Sequence, residues 1–196
     1  MTAKEHIRRG NDLAWMRNNP AAALVEYQEA LALDPTLAIA HLCIGQIHFH
    51  APAPRTEAAI AAFKEAVRCA PQWSEAHYWL GLGFAQKEWY QEAIDEHLKA
   101  ISLSEKEDER LFLSLGRCYS EMERYEEAVK AYENGIRVAR HENAEHYLIL
   151  GDALHANRQL ERACEQWRKV VSLRSGFGED ELSEHASAKI QTYCRS

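Results

Sequence analysis

Glycines stand at positions 10, 45, 81, 116 and 151, and alanines at 23, 59, 93, 128 and 163. The first series is spaced by 35, 36, 35 and 35 residues and the second by 36, 34, 35 and 35, so the two share one period. Such a period restricts a chain to stacked copies of one supersecondary unit, each of which buries its apolar face against the next. Ala, Glu, Leu, Arg and Gln dominate between these positions, with only 9 Gly and 5 Pro in 196 residues, so the repeated unit is expected to be helical.

The neighbours of the two series repeat with them. The third copy carries His77, Leu80, Gly81, Phe84, Ala93, His97 and Ala100, and the fourth Phe112, Leu115, Gly116, Tyr119, Ala128, Tyr132 and Gly135. The fifth has Tyr147, Leu150, Gly151, Leu154, Ala163 and Trp167, and the second has His41, Ile44, Gly45, His48, Ala59, Phe63, Ala66 and a closing Pro71. The first is the most worn, with His6, Gly10, Leu13, Ala23, Tyr27, Ala30 and Pro35. Aromatic-x-x-Leu-Gly-x-x-aromatic followed by Ala-x-x-x-aromatic resembles the tetratricopeptide repeat. The resemblance implies an all-α, right-handed superhelix (solenoid) of five helix-turn-helix repeats over residues 1–175, with copies at 3–36, 37–72, 73–107, 108–142 and 143–175. In it the Gly and the Ala mark the close approach of the two helices of a repeat, so Gly81 is expected to face Ala93.

Departures from the period are expected in loops. Gly45 to Ala59 spans fourteen residues instead of twelve, and the surplus falls in HAPAPR, where Pro52 and Pro54 stop a helix. Repeat one holds one extra residue, assigned to Asn18, Asn19 and Pro20. After repeat five, Ser175-Gly176-Phe177-Gly178 breaks the chain, and Leu182, Ala186, Ile190 and Tyr193 recur on one helical face. Residues 176–196 therefore read as a turn and a C-terminal capping helix that covers the last repeat.

Composition excludes several function classes. A formal charge of −7 opposes nucleic-acid phosphates and anionic lipid, so neither is an expected partner. The N-terminal residues lack an apolar run, and the most apolar stretch, Leu37 to Ile47, is too short to span a bilayer. Five scattered cysteines with no C-x-x-C suggest neither a disulfide framework nor a zinc knuckle, and a cytoplasmic protein is expected. No G-x-S-x-G, P-loop or H-E-x-x-H is present, so neither an enzyme nor a cofactor is expected.

The resemblance further implies that the first helix of each repeat lines a concave groove. Carried onto this chain, Ile39, Leu42, Phe49, Tyr78, Trp79 and Leu82 supply apolar and aromatic groups, and Arg110 and Arg117 supply positive charge. The expected occupant is a protein or peptide with an apolar anchor and a nearby acidic residue. The carboxylate clamp that some members use on chaperone tails is not matched: Asn11 fits, but Ile7, Cys43, Glu75 and Trp79 stand at the other four positions. Two alternatives are a homo-oligomer assembled through Trp79, Trp89 or the end faces, and a small-ligand or metal carrier using His41, His48 and His50 near Cys43.

Overall fold

The computed structural model describes residues 1–53, 55–174 and 180–194. Among them all regular structure is helical, and the chain divides into two compact units, Met1–Ser104 and Glu105–Ser196. The first unit holds α1 (Ala3–Asn11), a π-helical turn (Asp12–Met16), α2 (Pro20–Leu33), α3 (Ala38–Phe49), α4 (Thr56–Cys69), α5 (Ser74–Gln86) and α6 (Tyr90–Leu103). The second holds α7 (Glu109–Glu121), α8 (Tyr125–Val138), α9 (Ala144–Ala156), α10 (Leu160–Arg174) and α11 (Glu181–Tyr193). Within each unit consecutive helices pair (α1 with α2, α3 with α4, α5 with α6, α7 with α8, α9 with α10), and each pair packs on the next. The fold is an all-α helical repeat of the solenoid class.

The five glycines lie in the first helix of each pair and the five alanines in the second, where every one of the alanines is fully buried. The group each glycine admits is a ring: Tyr27 against Gly10, Phe63 against Gly45, His97 against Gly81, Tyr132 against Gly116 and Trp167 against Gly151. A Cβ on Gly81 would lie 2.7 Å from His97 Cε1. The expected facing of Gly81 and Ala93 is thereby corrected to the residue one turn beyond the alanine. Helical side chains lean toward the N-terminus of their own helix, which carries the ring at Ala+4 back over the glycine. Burying a ring such as Phe63 contributes on the order of 2–3 kcal/mol, which makes these contacts the main apolar joint of each repeat.

In repeats one and five the polar ring atom is matched to the residue that follows the glycine, whereas in repeat four the Tyr132 hydroxyl meets Ser120 Oγ at 3.4 Å. Tyr27 Oη donates to Asn11 Oδ1 at 2.7 Å, and Trp167 Nε1 donates to Asp152 Oδ1 at 2.9 Å. Leu82 follows Gly81 and offers nothing, and both ring nitrogens of His97 are buried without a hydrogen-bond partner. That desolvation holds the His97 pKa down at about 4.

The turns show how the period is kept without glycine or proline. Glu88, Glu123 and Arg158 take positive φ values of 61°, 57° and 60° directly after α5, α7 and α9. The following amides, of Trp89, Arg124 and Gln159, donate back to the carbonyls of Phe84, Tyr119 and Leu154, which is a Schellman closure with a non-glycine residue in the left-handed position. Between repeats, where the closing proline is missing, Asp108 and Asn143 cap α7 and α9 by accepting from the amides of Arg110 and Glu145.

The insertions are handled differently from one another. The surplus between α3 and α4 forms a loop that the Arg55 amide closes on the His48 carbonyl; Pro52 lies in it, and Pro54 is outside the described residues. The extra residue of repeat one, by contrast, is absorbed inside the helix as the π turn Asp12–Met16 and not at Asn18 to Pro20.

At the C-terminal end, α11 packs on α10 and α9, burying Ala186 completely and setting Leu182 and Ile190 against the core of Leu154, Trp167 and Val170. Tyr193 stacks on His155 at 4.4 Å, and Lys189 pairs with Asp152 at 3.0 Å. A disulfide joins Cys164 of α10 to Cys194 just beyond α11, with Cα atoms 5.9 Å apart. The expectation of cysteines without a disulfide is corrected here. Sequence separation concealed the pair, because the two positions meet only once α11 has folded back. The expected chain break at Ser175 to Gly178 lies outside the described residues. No helix among the described residues is long and apolar enough to cross a membrane.

Candidate interaction surface

The eight groove candidates divide sharply by their surroundings. Leu42 and Tyr78 are buried, at 3% and 8% exposure, and serve helix packing in the first unit. Phe49, Trp79 and Leu82 are half-buried and Ile39 is 36% exposed, so these four retain surface that a ligand can cover.

Trp79, on α5, is the hub of that set. Its ring lies 5.8 Å from Phe49, 5.9 Å from Phe63 and 5.8 Å from Tyr78, and its Nε1 donates to Glu75 Oε1 at 2.8 Å. The cluster extends outward through residues that were not assigned to it. His50 meets Trp79 edge-on at 5.5 Å and is itself met by Trp15, which is 52% exposed, at 6.5 Å. Trp15 projects from the π turn, a local geometry that no residue spacing announces. The result is a continuous run of rings, Trp15, His50, Phe49 and Trp79, passing from solvent to core within one unit. T-shaped contacts of this kind favour aromatic or aliphatic side chains as further neighbours.

In the second unit the two arginines differ. Arg110 is engaged by the Asp108 carboxylate at 2.7 Å. Burial pushes the Asp108 carboxyl up, but hydrogen bonds from the side chain and amide of Arg110, with its charge, together hold it below the usual range. Arg117 is exposed and takes part in no ion pair among the described residues. Arg110 also borders a cavity of about 1020 Å³ whose wall mixes Asp108, Arg140, Glu142, Glu145 and Arg174, a balance of signs that selects no one charge of ligand.

The histidine group separates. Cys43 is buried and its Sγ points to Asn11 Oδ1 at 3.6 Å, while His50 belongs to the ring cluster. His48 is half-buried, and burial, followed by the nearby charge of Arg55, lowers its pKa. His41, His48 and His50 therefore do not form one donor set. Along α3, residues seven apart share a face but stand roughly 10 Å apart along the axis, and residues nine apart fall on opposite sides. Asn11, the matching residue of the carboxylate clamp, is occupied by Tyr27 and Cys43.

Family models described as "TPR repeat" and "Tetratricopeptide repeat" match residues 17–50 and residues 55–105 and 113–171. No curated protein matches the chain. Among solved structures, MamA superposes with a TM-score of 0.76 at 23% identity over 85% of this chain and 95% of its own. YrrB, described as a TPR protein with an unusual peptide-binding site, gives 0.76 at 22% identity over 93% and 90%. PilF of Pseudomonas aeruginosa gives 0.74 at 20% identity over 99% and 93%. These likenesses are likenesses of fold.

Proposed function

The chain belongs to the tetratricopeptide repeat family, and on that premise we propose that it is a non-enzymatic protein-interaction scaffold whose anchor site is the ring cluster around Trp79. The observation that carries the reading is the run from Trp15 through His50 and Phe49 to Trp79, in which adjoining rings keep solvent-accessible surface, whereas the rings that face the repeat glycines (Tyr27, Phe63, His97, Tyr132 and Trp167) are buried. The solved structure of YrrB, described by its peptide-binding site, supports the same use of the fold. The partner is a protein or peptide segment with an apolar or aromatic anchor. On α7 of the second unit, Arg117 is the cation available to an acidic residue of a partner, and Arg110 contributes less because Asp108 already neutralises it.

The test is affinity capture with mass spectrometry, followed by titration of the recovered partner against wild type, Trp79→Ala and Ile39→Ser, each checked for native helicity. Removing a buried aromatic anchor costs at least about 2 kcal/mol of binding, or about thirtyfold in Kd. Unchanged affinity in both folded variants refutes the anchor site. A second reading, self-association, rests on Trp89, which stands just before α6 and is 46% exposed. Light scattering of wild type against Trp89→Ala decides it.

A further inference from the structure

We infer that His41, Glu65 and Cys69 form a binding site for a divalent transition-metal ion of the zinc type, clamping α3 to α4 within the first unit. One ligand atom from each, an imidazole nitrogen, a carboxylate oxygen and a thiol sulfur, lies within 4.8 Å of the other two. Zinc bonds run about 2.0–2.3 Å to such donors, so closure onto an ion asks the three side chains to draw in by roughly an ångström. All three are half-buried: partly shielded, yet open to an incoming ion.

Comparison of the repeats shows why these residues are not the usual packing set. His6 and His77 occupy the same motif position as His41, and each bonds a glutamate of its second helix, His6 with Glu26 at 2.8 Å and His77 with Glu96 at 2.6 Å. Both glutamates stand three residues after the repeat alanine, and in repeat two that position is Ala62. The carboxylate has moved one turn along α4 to Glu65, and a thiol follows at Cys69, four residues on and so on the same helical face. His41 keeps the bond from its Nε2 to the Pro35 carbonyl, as His77 does to Pro71, but among the described residues it has no carboxylate hydrogen-bond partner and its other ring nitrogen has no bond.

The donor set fits a borderline-soft ion. Imidazole, thiolate and carboxylate are the three side-chain types that hold zinc, and three protein donors leave a fourth position for water or for a group from a partner. Arg68 holds one oxygen of Glu65 at 2.8 Å, but this pair is largely exposed, worth little, and leaves the second oxygen available. Binding converts the Cys69 thiol to a thiolate, with its proton released to solvent, so affinity rises with pH. Cys43 and Cys118 are buried and Cys164 and Cys194 are bonded to each other, which makes Cys69 the accessible thiol among the described residues.

Untagged full-length protein, with its disulfide intact, is titrated with Co²⁺ while the thiolate-to-cobalt charge-transfer absorption is followed, and separately with Zn²⁺ by calorimetry. The expected result is one ion per chain with the charge-transfer band present. Cys69→Ser abolishes the band, and His41→Phe and Glu65→Gln each weaken Zn²⁺ binding by about tenfold or more. The phenylalanine is the residue that repeat four carries at the same position, Phe112, so that variant is chosen to keep the fold, and circular dichroism verifies it. His48→Ala and His50→Ala leave binding unchanged. Absence of the band in wild type, or Zn²⁺ affinity that survives in all three folded donor variants, overturns the proposal.

Discussion

Gly81 of α5 sits directly on the imidazole of His97 in α6, so close that a Cβ at position 81 would lie 2.7 Å from the ring. His97 has no room to retreat, because it is fully buried and Tyr78 stacks on it at 5.8 Å. Gly81→Ala gains roughly 1 kcal/mol of helix propensity but forces a rigid ring out of a packed core, which costs about 1–3 kcal/mol. The clash with a ring that cannot move is the larger effect. The variant is expected to lower the chemical-denaturation midpoint, with the loss concentrated in amides of α5 and α6.

His97 should also make the first unit acid-sensitive. Its pKa is about 4 when folded, below the ordinary histidine value of about 6.5 in the unfolded chain. Above pH 6.5 both states are neutral and the residue contributes no pH dependence. Between 6.5 and 4 the unfolded state binds a proton that the folded state refuses, so stability falls as pH falls through that window. The full loss is of order 3 kcal/mol. His97→Phe, which copies Phe63 of repeat two, is expected to flatten the pH dependence between 7 and 4.5 by close to one proton. Urea melts across that range check it, and a slope unchanged from wild type contradicts the assignment.

The parts of this architecture visible in the sequence are those governed by period. The Gly and Ala series announced five helix pairs and their order, because residues of one helix recur at fixed spacing. What spacing does not carry is the direction of a side chain, so it pairs Gly81 with Ala93, whereas the ring of His97 is what Gly81 meets. The π turn at Asp12–Met16 was hidden for a related reason: an extra residue shifts the count in the same way whether it lies in a loop or in a helix. Trp15 joined the candidate site only through that turn. His41 has histidines for neighbours in sequence, whereas its neighbours in space, Glu65 and Cys69, come from the antiparallel helix.

Three of the four left-handed turn residues are open to improvement, the fourth being Asn18, a residue type that tolerates that conformation. Glu88, Glu123 and Arg158 hold φ near 60°, a conformation that costs a side-chain-bearing residue roughly 1–2 kcal/mol. Glycine relieves that strain but gives the unfolded chain more freedom to lose. Glu123→Gly is expected to stabilise the second unit by about 0.5–1 kcal/mol, because Glu123 is exposed and its side chain serves no ion pair among the described residues. A lower denaturation midpoint would show that the Glu123 side chain contributes more than its backbone costs.

The last expectation concerns the bond between Cys164 and Cys194, which closes a loop with a sequence separation of 30. A closure of that length removes unfolded-state entropy worth up to about 3–4 kcal/mol in the chain-entropy account. The contacts that remain without it are Ala186, Leu182 and Ile190 on the core of α9 and α10, Tyr193 on His155, and the Lys189–Asp152 pair. They are enough to keep α11 docked part of the time but leave its C-terminal turn, where Tyr193 is 45% exposed, free to fray. Cys194→Ser, or a mild reductant acting on wild type, is therefore expected to lower stability by a few kcal/mol and to accelerate amide exchange first in α11, then in α10, while α1 to α6 keep wild-type protection. If α11 instead served only as a tethered segment, reduction would leave α10 as protected as before, and exchange measured with and without reductant distinguishes the two. The same experiment on Leu182→Ala separates the covalent from the apolar contribution: loss of protection in α10 with the disulfide intact shows that the apolar face of α11, and not the bond alone, covers repeat five.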